Sequence, residues 1–352
     1  MKKGLYIHIP FCRRKCVYCD FYSLENSTHR AREYTDAVIR NIKDASFEYD
    51  TVYFGGGTPT LLPAIYLTDI LSAADIDPNA EISIEANPET VTAEELCDLR
   101  KAGLDRISFG VQSLSDERLR ELGRIHTAKT ALDAIEMAQE AGFENISADL
   151  MIGLPHSDGE QHLRDIERLV GMGISHISVY MLKVEQGTPL SRDRELLSCI
   201  DDDRSADEYE SAAELLEKLG LHQYEISNFA KKGFECKHNL KYWHCEEYFG
   251  VGTSAHSCID KKRFCVPSDI SGFIESPLQR ITYTDENACG EEEKLMLALR
   301  LSEGVPGEML KDRAALVEQY VEHGLMKREN GRISFTVKGY LVSNEIITQL
   351  VM

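Results

Sequence analysis

The sequence is short of basic charge. Lys and Arg number 39 against 59 Asp and Glu, a formal charge of -20, and such a surface repels phosphate backbones and anionic bilayers. Nucleic acid is therefore excluded as the principal partner, because the basic clusters are short, Arg13-Arg14-Lys15, Lys231-Lys232 and Lys261-Lys262-Arg263 among them. Peripheral membrane association would need a protein partner rather than simple docking on anionic lipid. There is also no apolar run long enough to span a bilayer, and the first residues do not read as a signal peptide, so the expectation is a cytoplasmic protein. Ten cysteines in 352 residues are too sparse for a disulfide scaffold. In a reducing compartment, clustered thiols more often bind metal.

What the chain does have is a β-α rhythm. Short apolar runs at 5–9, 51–54, 81–86, 106–111, 146–153 and 176–182 alternate with helical segments such as 92–103 and 130–142, each with Thr near its start and Gly at its end. Six such repeats imply parallel strands with crossover helices. A doubly wound sheet and a barrel both fit, but polar or glycine residues recur at strand ends: Cys12, Gly55-Gly56-Gly57-Thr58, Glu85 with Asn87, Gln112 and Asp149. In a barrel these ends converge on one mouth. The expected fold is α/β, a partial (β/α)6 TIM-like barrel over residues 1–230, a connecting region at 231–289 that contains HNxxYW, with the stretch 224–257 read as loop-like, and a small C-terminal helical or α+β domain at 290–352.

The densest chemistry is "CRRKCVYC", with Cys12, Cys16 and Cys19 in the spacing CxxxCxxC. Three readings compete. The spacing fits one face of a helix, a buried stripe that Pro10 and the three basic residues disfavour. A zinc site would need His8 or a distant cysteine as fourth ligand. A 4Fe-4S cluster on three thiolates leaves one iron open to a small chelate. Arg13, Arg14 and Lys15 are expected to favour thiolates.

This motif resembles the signature of the radical S-adenosylmethionine (SAM) superfamily. Together with "YFGGGTPT", "IEANPE", "GVQS", "DLMIGLP", "YEISNFA" and "HNLKYW", it resembles the oxygen-independent coproporphyrinogen dehydrogenase family, and within it a heme-chaperone branch. The resemblance implies a barrel of the radical SAM type holding a 4Fe-4S cluster on the three cysteines, with SAM chelating the open iron. It also implies SAM contacts from Tyr6, Tyr18, Gly56, Gly57, Thr58, Glu85 (to the ammonium), Arg124 (bidentate to the carboxylate), Gln112 and Asp149 (to the ribose). Gly55 belongs to the same glycine turn.

Two features bear on function. The dehydrogenases carry a further cysteine where this chain has Phe21, which argues against coproporphyrinogen III oxidation and for the heme-chaperone branch. In that branch HNxxYW implies heme, with His238 as axial ligand to the heme iron and Tyr242 and Trp243, the only tryptophan, lining the porphyrin; His244 and His256 are alternative ligands. The expected function is binding heme and delivering it to apo-hemoproteins, for example in respiration. The alternative is a radical SAM enzyme acting on a tetrapyrrole, which would need an electron donor. Cys236, Cys245, Cys258 and Cys265 match no ferredoxin spacing. "GVGTSA" at 250–255 lacks the strand and helix of a dinucleotide site.

Overall fold

The computed structural model describes residues 2–351. Six strands run through the first half: β1 (Lys3–Ile9), β2 (Glu48–Gly56), β3 (Asp75–Ala86), β4 (Arg106–Gln112), β5 (Asn145–Ile152) and β6 (His176–Met181). They pair in strict sequence order and all in parallel. That order decides between the two candidate folds, since a doubly wound sheet reverses direction at a switch point and a barrel does not. Helices α1 (Ala31–Ala45), α2 (Ala64–Ser72), α3 (Ala93–Lys101), α4 (Ala128–Glu140) and α5 (Gln161–Gly171) make the crossovers, and α6 (Asp202–Lys218) follows β6.

Alternation along each strand divides the two faces. Leu5, Ile7 and Ile9 of β1, Val52 and Phe54 of β2, and Ile107, Phe109 and Val111 of β4 are fully buried in the core that packs the helices. Burying each such side chain contributes about 1.5–3 kcal/mol. The intervening residues, Tyr6 and His8, Thr51 and Tyr53, Arg106 and Ser108, face the interior of the curled sheet. Its lining is therefore polar, in contrast to the branched apolar layers of a typical closed barrel.

Cap chemistry fixes the helix starts. The Thr92 hydroxyl accepts from the Glu95 amide, and Asp201 does the same for Arg204 at α6. For α4 the cap is Thr127, which accepts from the Thr130 amide; Thr130, the expected start, lies inside the first turn.

The region at 231–289 departs from its loop-like reading. It contains helix α7 (Lys237–Trp243) and a strand, Tyr248–Val251, that joins the main sheet in parallel on the outer side of β1, pairing Gly4 with Tyr248 and Ile7 with Val251. Strands His256–Ile259 and Lys262–Cys265 then continue that edge in antiparallel fashion. Four-residue strands carry too little alternation to be recognised. A strand thus does precede "GVGTSA", but another strand follows it, so the phosphate-binding helix start is missing.

The C-terminal region pairs Val305–Pro306, Arg332–Phe335 and Met326–Glu329 in one small sheet flanked by helices Ala314–Glu322 and Ser343–Val351. Its buried residues, among them Val305, Ile333 and Leu350, form one contiguous core with the barrel. Among the described residues no helix is long and apolar enough to cross a membrane.

Candidate cluster and cofactor site at the barrel mouth

The strand ends converge. A cavity of about 410 Å³ is lined by Cys12, Cys16, Tyr18 and Cys19, by Gly56, Gly57 and Thr58 after β2, by Glu85 and Asn87 at β3, by Ser108 and Gln112 of β4, by Arg124, by Asp149 of β5 and by Tyr180 and Met181 of β6. That residues of β1's exit loop and of β6 share one cavity shows that the sheet curls.

The cysteine segment is an irregular loop, not a helix. Phe11–Cys12 forms a short parallel bridge with Leu24–Glu25, and the Cys19 amide donates to the Cys16 carbonyl in a turn. The helical-stripe reading fails for that reason. The zinc reading loses its nearby fourth ligand. His8 is buried, with Nε2 2.9 Å from the Tyr22 carbonyl and Nδ1 3.2 Å from the Tyr6 hydroxyl, and burial pushes its pKa down to about 4.

Of the basic residues expected to favour thiolates, Lys15 lowers the Cys19 thiol, but burial outweighs it. Burial raises the Cys12 thiol and pushes Cys19 up to about 11, while Arg13 donates to the Glu89 carbonyl and Lys15 to that of Phe21. Metal binding at this loop must expel protons. The cation that reaches a cysteine sulfur is Arg124, whose Nη1 donates to Cys16 Sγ at 3.4 Å. Its Nη2 donates to Asn87 Oδ1 (2.7 Å) and to the Gly110 carbonyl (2.8 Å). Both Nη2 hydrogens being used, the open fork needed for a bidentate carboxylate clamp is not available. Thr58 accepts from Asn87 Nδ2 at 3.0 Å and stands 3.6 Å from Cys12 Sγ, so its own hydrogen is free for that sulfur.

The triple glycine has a reason in the backbone around it. A Cβ on Gly57 would lie 2.6 Å from the Phe11 carbonyl oxygen, and one on Gly56, at φ +112°, would enter the His8 ring. The amides of Gly57 and Thr58 donate to the carbonyls of Ile9 and Phe11. The turn therefore latches the strand that presents Cys12, besides lining the cavity.

Two carboxylates lie deep in the site. Glu85 accepts from the Tyr53 hydroxyl (2.9 Å) and the Gly56 amide (3.1 Å), and burial, with Asp149 nearby, pushes its pKa up to about 7. Burial raises Asp149 too, although Ser108 donates to it at 3.1 Å. A pair of buried carboxylates that oppose each other's ionisation suits a cationic ligand, and SAM carries a sulfonium and an ammonium. Gln112 sits at φ +66°, a left-handed conformation uncommon outside glycine and frequent at ligand sites. The residues present fit both SAM and a cluster with three thiolate ligands.

Not every expected residue arrives here. Tyr6 does not line the cavity; it packs on Tyr53 one layer below. His238, Tyr242 and Trp243 lie at the opposite end of the barrel, where α7 plugs the strand N-termini. Glu81 accepts from the amides of Lys237 and His238. The His238 ring is wholly buried, stacks on Tyr53, and has Nδ1 2.8 Å from Thr51 Oγ1 and Nε2 2.7 Å from the Tyr242 hydroxyl. Both nitrogens are thus engaged within the protein, and burial pushes the pKa down to about 3. His244 and His256 are exposed. The cysteines at 236–265 do not form one group either: Cys258 lies 3.6 Å from Cys289, with Cys245 packed against the pair, while Cys236 is buried beside Glu81. Sequence reasoning missed Tyr180 and Met181, although their place at the end of the sixth strand was a usable signal.

Comparison with known proteins agrees with this geometry. The Radical SAM superfamily profile matches residues 6–170. The heme chaperone HemW of Bacillus subtilis is 34% identical, with 98% of each chain covered, and that of Lactococcus lactis is 31% identical over 99% of this chain and 97% of its own. The chain belongs to the HemW family. HemW of Escherichia coli is 39% identical over 72% of this chain. Among solved structures, the radical SAM enzyme coproporphyrinogen III oxidase (HemN) of Escherichia coli superposes with a TM-score of 0.82 over 100% of this chain and 90% of its own. At 20% identity that likeness establishes the fold that the HemW family shares, a radical SAM barrel.

Proposed function

We propose that this protein is a cytoplasmic heme chaperone, which binds heme and passes it to apo-hemoproteins, respiratory ones among them. The full-length similarity to proteins named heme chaperones carries the reading. In this reading Cys12, Cys16 and Cys19 hold a 4Fe-4S cluster and Arg124 and Thr58 donate to its sulfurs. Gly56, Gly57, Thr58, Glu85, Gln112 and Asp149 hold SAM, with Tyr18 packed beside the cluster. When bound, the cluster and SAM supply one-electron chemistry of the radical SAM type, and an electron donor is a partner only if SAM is consumed. The chain's own residues bind the cation, neutralise it on buried carboxylates and exclude water from the cluster face.

Phe21 favours the chaperone over coproporphyrinogen oxidation, since a phenyl 66% exposed at the mouth offers contact area and no thiol. The test is twofold. Anaerobically reconstituted protein mixed with hemin should give a Soret shift and then transfer heme to an apo-hemoprotein. Coproporphyrinogen III with reductant and SAM should yield no protoporphyrinogen. Formation of that product, or no Soret shift, would move the assignment to the enzyme.

A further inference from the structure

One thiol outside the barrel mouth has a chemically specific neighbour. Cys199 Sγ stands 3.2 Å from His156 Nε2, and His156 Nδ1 stands 3.2 Å from Glu121 Oε1. The three residues come from separate elements: Glu121 ends helix Asp116–Glu121, His156 follows β5, and Cys199 follows the short helix Arg194–Leu197. Sulfur, imidazole and carboxylate in that order form an arrangement that activates a nucleophile. The carboxylate accepts from Nδ1–H, which leaves Nε2 to take the thiol proton. The other Glu121 oxygen accepts from Arg118 Nη1 at 2.7 Å, so the carboxylate is held in place. His156 sits at φ +54°, a left-handed conformation uncommon outside glycine and frequent at functional sites. Arg204 ties the two loops together, its Nη2 donating to the carbonyls of Cys199 (2.7 Å) and Leu154 (3.4 Å). Cys199 is half-buried and the imidazole is 44% exposed, so small reagents reach both.

The surroundings narrow the chemistry. The amides of Cys199 and Ile200 donate to the carbonyls of Leu196 and Leu197, so neither is free to stabilise the oxyanion that acyl transfer would build. Thiol–disulfide exchange builds no oxyanion; it needs a nucleophilic sulfur, a proton acceptor and access. Beside the imidazole lies a cavity of about 260 Å³, separate from the mouth, in which His156 is joined by Ser115, Glu117, Arg118 and Asp158. Both signs of charge are present there, which suits a zwitterion.

We propose that Cys199 is a modification site, at which a zwitterionic low-molecular-weight disulfide forms a mixed disulfide with help from His156 and Glu121. Cys199 Sγ attacks one sulfur of the reagent, and the new S–S bond forms as the reagent's own bond breaks. Cys199 is oxidised and the departing sulfur is reduced, while the thiol proton passes through His156 Nε2 to the leaving thiolate. The site also adjoins the cysteine loop. Val17, between Cys16 and Cys19, donates its amide to the carbonyl of Leu122, the neighbour of Glu121, and its own carbonyl accepts from the Leu190 amide. Leu122, Leu190 and Leu196 surround Val17. An adduct on Cys199 crowds the segments that hold Val17 and loosens the loop, so the state of the small-thiol pool is felt at the cluster. That consequence rests on the cluster reading; the modification does not.

The experiment adds oxidised glutathione to anaerobically reconstituted full-length protein near neutral pH and times the adduct at each cysteine by peptide mass spectrometry. Cys199 should be modified at least about tenfold faster than Cys97, also half-buried, on α3. His156→Gln should remove about that factor, and Glu121→Gln a smaller part of it, with circular dichroism unchanged in both. Glutathione-treated wild type should then release cluster iron to a chelator faster than Cys199→Ser protein treated in the same way. Equal rates at Cys199 and Cys97, or a His156→Gln rate equal to wild type, would overturn the site. Equal iron release would overturn its link to the cysteine loop. A chain that takes up no cluster would defeat the cluster reading and that link, while the adduct rates would still decide the site.

Discussion

The two ends of the barrel are built from the same strands and have opposite characters. At the strand N-termini, α7 closes the opening and its own polar groups are matched inside the protein: Glu81 caps the helix, His238 bridges Thr51 and Tyr242, and Lys241 pairs with Asp50 and Glu246, although the Tyr49 hydroxyl and Arg106 Nε beside it lack a hydrogen-bond partner. At the C-termini the polar groups are left in states that a ligand would relieve: raised thiols, two opposed carboxylates and a residue at positive φ. Satisfied polar networks give stability and a unique structure, whereas unmet ones mark where chemistry or binding takes place. The comparison shows that HNxxYW, besides its histidine and two aromatics, supplies the helix that closes the barrel's far end.

If the ends differ in this way, substitutions should separate stability from binding. The largest effect belongs to the mouth. Replacing Cys12, Cys16 or Cys19 by Ala should remove nearly all cluster iron and sulfide from anaerobically reconstituted protein while the melting temperature of the cluster-free form stays within a few degrees, because the loop contributes little to the core. A variant that kept its iron would show that the fourth-ligand problem is solved elsewhere.

Next in size comes the closed end. Glu81→Ala would strip the cap from α7 and take a nearby negative charge away from the buried Arg106 guanidinium. Removing one member of a buried charge pair costs about 3–5 kcal/mol. A large fall in melting temperature is expected, with SAM affinity of the remaining folded protein unchanged. Lost SAM affinity at full stability would break the division between the ends.

Much of this arrangement was legible in the sequence, and the failures have common causes. All six barrel strands were found because fully buried strands repeat Val, Ile and Phe over enough residues to register, and because parallel strands require long crossovers. The mouth residues were legible for a related reason: a strand's last polar residue has one place to go in a barrel. The strand at Tyr248–Val251 was missed because four residues do not make a period, and its neighbour β1 is distant in sequence. For His238 a motif gives residue type without orientation. Whether an imidazole is open or bridged depends on Thr51, 187 positions away. The triple glycine was legible by place, but that its lack of Cβ answers to the Phe11 backbone was not.

The smallest effect is the one that most sharpens the contrast, because it should improve one property while harming another. Glu85 has a pKa of about 7 in the fold, above that of an unfolded-state glutamate. The folded protein thus holds its proton more tightly than the unfolded chain. Stability from this group is fully present below the unfolded pKa and is lost as pH rises through about 7. SAM binding runs the other way, since its fixed sulfonium charge and its N–H donors favour the ionised carboxylate. Affinity for SAM, measured calorimetrically, should be flat above pH 8 and fall by up to tenfold per pH unit below 7. Glu85→Gln should flatten that profile at the weak level. At pH 8 the variant should melt a few degrees higher than wild type, with no such advantage at pH 4.5. A variant less stable than wild type at pH 8 would mean that the bonds from Tyr53 and Gly56 outweigh the burial of charge, and that the mouth, like the far end, is built for stability.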